Sequence, residues 1–152
     1  MYYVIVAGLM VVLPIASIVI EWLSGPGAEL IPLIGKWFVF WAVGVRLLAA
    51  GIKQIVQPEF TARRIFGIEE PGAMKVVSEL GISNVAIGAI GIASLYFPSW
   101  TLPAAIYGLI FFGLAGVRHL GNRKRNAIEN MATATDLWAA LVLAVYVIGA
   151  IG

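Results

Sequence analysis

The chain contains no cysteine. That excludes disulfides, thiolate metal sites and a cysteine nucleophile. It has one histidine, His119, so a histidine-rich metal cluster cannot form. Haem ligation would rest on His119 with Met10, Met74 or Met131, a weak set. No HExxH, GxSxG, Walker or CxxC pattern occurs, so the enzyme classes that those motifs announce have no foothold. Charge is scarce as well: 12% of residues, where a soluble domain carries about a quarter.

Apolar residues are what the chain has in abundance. They make up 61% of its 152 residues, and mean hydropathy is +0.97. A membrane-spanning helix needs about 20 mostly apolar residues. Five segments qualify: 2–23, 33–55, 73–97, 102–120 and 128–151. The reading is an all-α, polytopic membrane helical bundle, one transmembrane domain over residues 1–152. The first segment lacks a basic n-region and a small-residue cleavage site, and its apolar run is too long for a signal peptide. It is therefore read as a span, kinked at Pro14. Between the second and third spans lies "QPEFTARRIFGIEEPGAMK" (57–75). Phe60, Ile65, Phe66 and Ile68 alternate there with charges, which predicts a short amphipathic helix in the membrane interface and a turn at "EEPGA". Pro71 then suits the first turn of the third span.

Lysine and arginine set the expected orientation. With five spans, the N-terminus and the second and fourth connections share a side. Lys53, Arg63, Arg64, Lys75, Arg118, Arg123, Lys124 and Arg125 cluster there, eight of the ten basic residues. The opposite side has only Lys36. The positive-inside rule then predicts a cytoplasmic N-terminus and an outside C-terminus. Trp22, Trp37 and Trp100 fall at the outer face as an aromatic belt would.

Arg46 is the residue that such a span should avoid. It sits roughly 14 Å from the cytoplasmic end of its helix at 1.5 Å per residue, close to the midplane. A charge there costs about 2.5–3.5 kcal/mol on insertion scales. Its stripe reads Ala42, Arg46, Ala50, Lys53, Gln57. Acids at similar depth are Glu79 on the third span, near Ser83 and Asn84, and Asp136 on the fifth, with Glu129 two turns before it. His119 and Arg118 close the fourth span. The outer half is almost purely apolar, apart from Glu21 and Glu29 at its rim.

Two readings of this polar set stand open. In the first, Glu79 or Asp136 neutralises Arg46 and Lys53 and fixes helix register, Lys53 snorkels, and the basic loop orients the chain and touches anionic lipid. In the second, Arg46, Lys53, Glu79, Asn84, His119, Glu129 and Asp136 line a polar pocket for a quinone, a lipid head group or a small anion, with His119 able to carry protons beside an acid. Glycine- and alanine-rich stripes recur at helical spacing, as Gly81, Asn84, Gly88 and Gly91 and as Ala105, Gly108, Phe112, Gly116 and His119. They suit close helix packing, inside the bundle or against another membrane subunit.

The stretch "VRLLAAGIKQIVQPEFTARRIFGI" (45–68), followed by "ELGISNVAIGAIGIAS" (79–94), resembles the DoxX-like group of small bacterial membrane proteins. The matching positions are Arg46, Gly51, Lys53 and Glu79, within about residues 40–120. The resemblance implies a compact four-helix bundle, so residues 2–23 would be an extra span at the front. For some members it implies an accessory role beside quinone-linked or sulfur-redox enzymes.

The functional expectation is a non-catalytic membrane subunit, or a binding protein for a hydrophobic small molecule (a quinone or lipid), anchored by Arg46. No other cofactor, no metal and no nucleic acid is expected. Expected partners are membrane lipids and either another membrane protein or further copies of the chain. The rivals are a homo-oligomeric transporter or channel, which no inverted repeat supports, and an enzyme using His119 with an acid.

Overall fold

Proline positions explain much of the helix punctuation. Pro32, Pro71 and Pro103 sit in the first turn of a helix, and Pro98 opens a short 3-10 turn ahead of one. A missing backbone N–H is harmless there, because the first four N–H groups of a helix have no partner within it. A computed structural model describes residues 2–25, 27–122 and 125–152. Its five membrane-length helices are α1 (Tyr2–Ser24), α2 (Leu30–Val56), α3 (Pro71–Ala93), α4 (Pro98–Gly121) and α5 (Ala127–Ile151). No strand occurs among the described residues. The basic loop residues Arg123 and Lys124 lie outside them.

α2 and α5 form the centre of the bundle. α2 is the most buried of the five helices and α1 the least. Val39, Val43 and Leu47 of α2, Phe112 of α4, Leu143 of α5 and Met10 of α1 are fully buried together. α1 contributes one narrow ridge, Val6, Met10, Pro14 and Ile18, at four-residue spacing. α3 lies against α2 along a glycine seam, in which Gly44 meets Gly91 and Gly51 meets Gly81. On α4, Gly108 and Gly116 receive Leu143 and Leu137 of α5. Both small-residue stripes are thus consumed inside the bundle, and large apolar side chains such as Val76, Ile110, Leu114 and Leu141 cover its exterior.

Three stretches depart from the α-helical period. Gly8–Val12, Val39–Val45 and Phe60–Ile65 are π-helical. The first adjoins Pro14, where the backbone stays helical on both sides. Pro14 has no N–H for the carbonyl four residues back, that of Met10. The indole N–H of Trp138 on α5 donates to that carbonyl at 3.2 Å. The second wide turn ends at Arg46, whose N–H bonds the carbonyl of Trp41, five residues back.

α3 stops at Ala93 rather than running to Phe97. The Ser94 hydroxyl donates to the Gly91 carbonyl at 2.7 Å, and Phe97, preceding Pro98, leaves the helical region with φ −123° and ψ 82°. In the connection between α2 and α3, the residues buried against the bundle are Thr61 and Ala62, whereas Phe66 and Ile68 stay exposed.

The start of α1, this connection and the α4–α5 loop come together at one end. Tyr2 meets Phe60 with ring centres 6.1 Å apart. Phe66 stacks on His119 at 6.3 Å. Asn126 donates to the Arg64 carbonyl at 2.8 Å. At the other end, Lys36 Nζ donates to Glu21 at 2.7 Å, and Trp37 Nε1 donates to the same carboxylate at 2.8 Å, fastening α1 to α2.

Candidate functional site

α5 carries two acids on one buried face, Glu129 and Asp136, two helical turns apart. Each organises a separate polar group. Glu129 lies in the first turn, where its backbone N–H bonds the side chain of the N-cap residue Asn126 at 2.9 Å. The helix N-terminus favours its negative charge. Its carboxylate also meets His119 Nδ1 at 3.0 Å and accepts from Asn122 Nδ2 through both oxygens at 2.9 Å. A carboxylate on Nδ1 keeps the proton of a neutral imidazole there, so Nε2 carries the lone pair. Nε2 has no hydrogen-bond partner among the described residues.

Asp136 lies deeper, about 14 Å along α5 from Ala127 at 1.5 Å per residue. Its partner is Arg46, at 3.7 Å from Nη2 to Oδ1. Asp136 is 5% exposed. Arg46 also lies over the Phe112 ring, 5.9 Å from its centre, within cation–π range.

The other residues that the sequence singled out are elsewhere. Glu79 is exposed on α3 and makes no ion pair among the described residues. Lys53 is exposed, bonds the Gln57 side chain and lies 5.2 Å above the Phe60 ring. Asn84 is buried and donates to Gln54 Oε1 on α2 at 2.8 Å. Gln54 escaped the sequence reading, although it lies one turn from Gly51 on the face that packs against Gly81 of α3. Asn122 escaped it as well, because only the returning α5 gives that loop residue a partner.

A groove of about 530 Å³ opens where the α2–α3 connection crosses the ends of α3, α4 and α5. Phe66, Ile68, Val76 and Leu80 form its apolar wall, and Arg118, His119, Asn122 and Glu129 its polar end. Arg46 and Asp136 do not line it. Its lining suits an amphiphile: hydrocarbon on one wall, hydrogen-bonding groups at one end. Among the described residues, no three His, Asp or Glu side chains come together as a metal-binding group. Compared with protein-family models, curated proteins and solved structures, the chain matches none.

Proposed function

We propose that the protein is a non-catalytic membrane protein that binds a hydrophobic small molecule with a polar head, a quinone or a lipid, beside a membrane redox system. The observation that carries this reading is the groove at the end of the bundle, with its apolar wall and its His119–Glu129–Asn122 network. His119 Nε2 accepts a hydrogen bond when the ring is neutral and donates one when it is protonated, so it suits a carbonyl, a hydroxyl or a head-group oxygen. The resemblance to the DoxX-like group supplies the redox association. The positive-inside rule supplies the orientation: N-terminus and groove on the cytoplasmic side of a bacterial inner membrane, C-terminus outside.

Native mass spectrometry on protein gently extracted from its own membrane tests the proposal. A quinone, a specific lipid or a redox subunit that remains bound supports it. A chain that carries nothing, alone or as a homo-oligomer, overturns it.

A further inference from the structure

Two grooves meet at one side chain. Beside the groove just described, a second of about 400 Å³ follows the outer face of α4 past Tyr107, Ile110, Phe111, Leu114 and Ala115. Arg118 lines both. The second groove is apolar up to that arginine. The stacked rings of Tyr107 and Phe111, 5.8 Å apart and 12° from parallel, flatten its far end. From Tyr107 to Arg118 the helix rises roughly 16 Å at 1.5 Å per residue. That is about half of a ~30 Å hydrocarbon core, the depth of one leaflet.

Arg118 is exposed and has no ion pair among the described residues. The acid nearest in the lining, Glu129, is occupied by His119 and Asn122 and compensated by the start of α5. The charge left over where the two grooves meet is therefore positive. A guanidinium at that point matches an oxyanion through paired N–H groups. Hydrocarbon lies on one side of it, and hydrogen-bonding side chains lie on the other.

We infer that the two grooves form one binding site for a single anionic phospholipid of the surrounding bilayer, with its phosphate at Arg118. One acyl chain lies along Tyr107–Ala115, and the polar head group sits beside His119 and Asn122. The inference rests on the reading of the first groove as an amphiphile site, and it selects the lipid over the quinone. A neutral quinone could lay its tail along the α4 groove, but it would leave Arg118 without its counter-charge.

The test uses the full chain in phosphatidylcholine nanodiscs that contain a small fraction of phosphatidylglycerol. Lipids retained after gentle release are counted by native mass spectrometry. Three variants are compared with the unmodified chain, each checked for helicity and thermal stability. Arg118→Gln removes the phosphate contact. Leu114→Trp fills the chain groove at an exposed position without touching charge. Arg64→Gln removes a cation at the same end that lines neither groove. The expected result is one phosphatidylglycerol retained by the unmodified chain and by Arg64→Gln, with at least a tenfold loss in the other two.

Equal retention of phosphatidylcholine and phosphatidylglycerol by the unmodified chain would overturn the inference. So would an equal loss in Arg64→Gln and Arg118→Gln, which would mean a diffuse field. Inorganic phosphate bound in place of the lipid would reassign the site to a free anion. A short-chain neutral quinone is tested in parallel. If the quinone is retained and phosphatidylglycerol is not, this inference falls and the amphiphile reading stands. If neither is retained, both fall.

Discussion

Arg46 Nη2 stops 3.7 Å from Asp136 Oδ1, and the gap leaves both Arg46 Nε and Asp136 Oδ1 buried without a hydrogen-bond partner among the described residues. A charge-assisted hydrogen bond closes to about 2.7–2.9 Å. The pair is thus held by charge and by packing against Phe112 rather than by a paired bond. This has a consequence for mutation. Removing one partner strands the other charge inside the bundle, whereas removing both strands neither. Asp136→Ala should destabilise the fold by about 3–5 kcal/mol. The double variant Arg46→Met with Asp136→Leu should recover most of that loss. Reversible unfolding in mixed micelles reads both, and a double variant no better than the single one would mean that the pair contributes net stability.

The α2–α3 seam predicts a contrast between two glycines. A methyl group placed on Gly51 would lie 2.6 Å from the Gly81 carbonyl oxygen and 2.7 Å from the Val85 nitrogen. Both are backbone atoms, so relief requires the helices to separate. Gly51→Ala should therefore cost at least about 1–3 kcal/mol, the usual range for overpacking. A methyl group on Gly113 would meet only Ala140 Cβ, at 3.8 Å. Gly113→Ala should be neutral or stabilise by up to about 1 kcal/mol through helix propensity. The same unfolding measurement checks both, and equal effects would refute the seam.

The sequence was informative where a property is local and opaque where it depends on facing. Span number and position follow from hydropathy alone, and observed ends differ from the expected ones by only a few residues, the largest shifts being Ala93 for Phe97 and Pro98 for Leu102. The facing of polar residues was less legible. Glu79 and Asp136 lie at similar depths on apolar helices, and only packing turns Asp136 inward and leaves Glu79 exposed. The π turn over Val39–Val45 adds to this, because it shifts the helical phase just before Arg46. A straight-helix stripe drawn through Ala42, Arg46 and Lys53 therefore joins a buried residue to an exposed one. The groove was beyond reach because its wall comes from Phe66 and Ile68, which read locally as the apolar face of an interfacial helix.

Trp138 and Pro14 should show energetic coupling although they do not themselves exchange a hydrogen bond. Pro14 deprives the Met10 carbonyl of its helical donor, and the Trp138 indole N–H takes that role at 3.2 Å. Trp138→Phe keeps an aromatic ring, though a smaller one, and removes the donor, whose loss should cost about 1 kcal/mol. In a Pro14→Ala background the backbone regains its N–H, and the same change should cost less. A double-mutant cycle reads the difference. Strict additivity would show that the carbonyl gains nothing from the indole.

Ligand retention and stability should separate between His119 and Arg46. His119 lines the groove and has no partner for its Nε2 among the described residues, while Arg46 does not line the groove and serves the core pair. His119→Gln keeps a polar side chain that can still reach Glu129, so the fold should tolerate it. Its loss of ring geometry at the polar end should lower retention of a bound amphiphile several-fold. Arg46→Ala should do the reverse. It leaves Asp136 uncompensated and weakens the fold, yet the fraction that remains folded should retain ligand as the unmodified chain does. Native mass spectrometry of the folded fraction, set against unfolding midpoints, measures the two effects separately. If Arg46→Ala empties the folded chain while His119→Gln does not, the binding site lies around the Arg46–Asp136 pair, and the groove at the end of the bundle is only a surface feature.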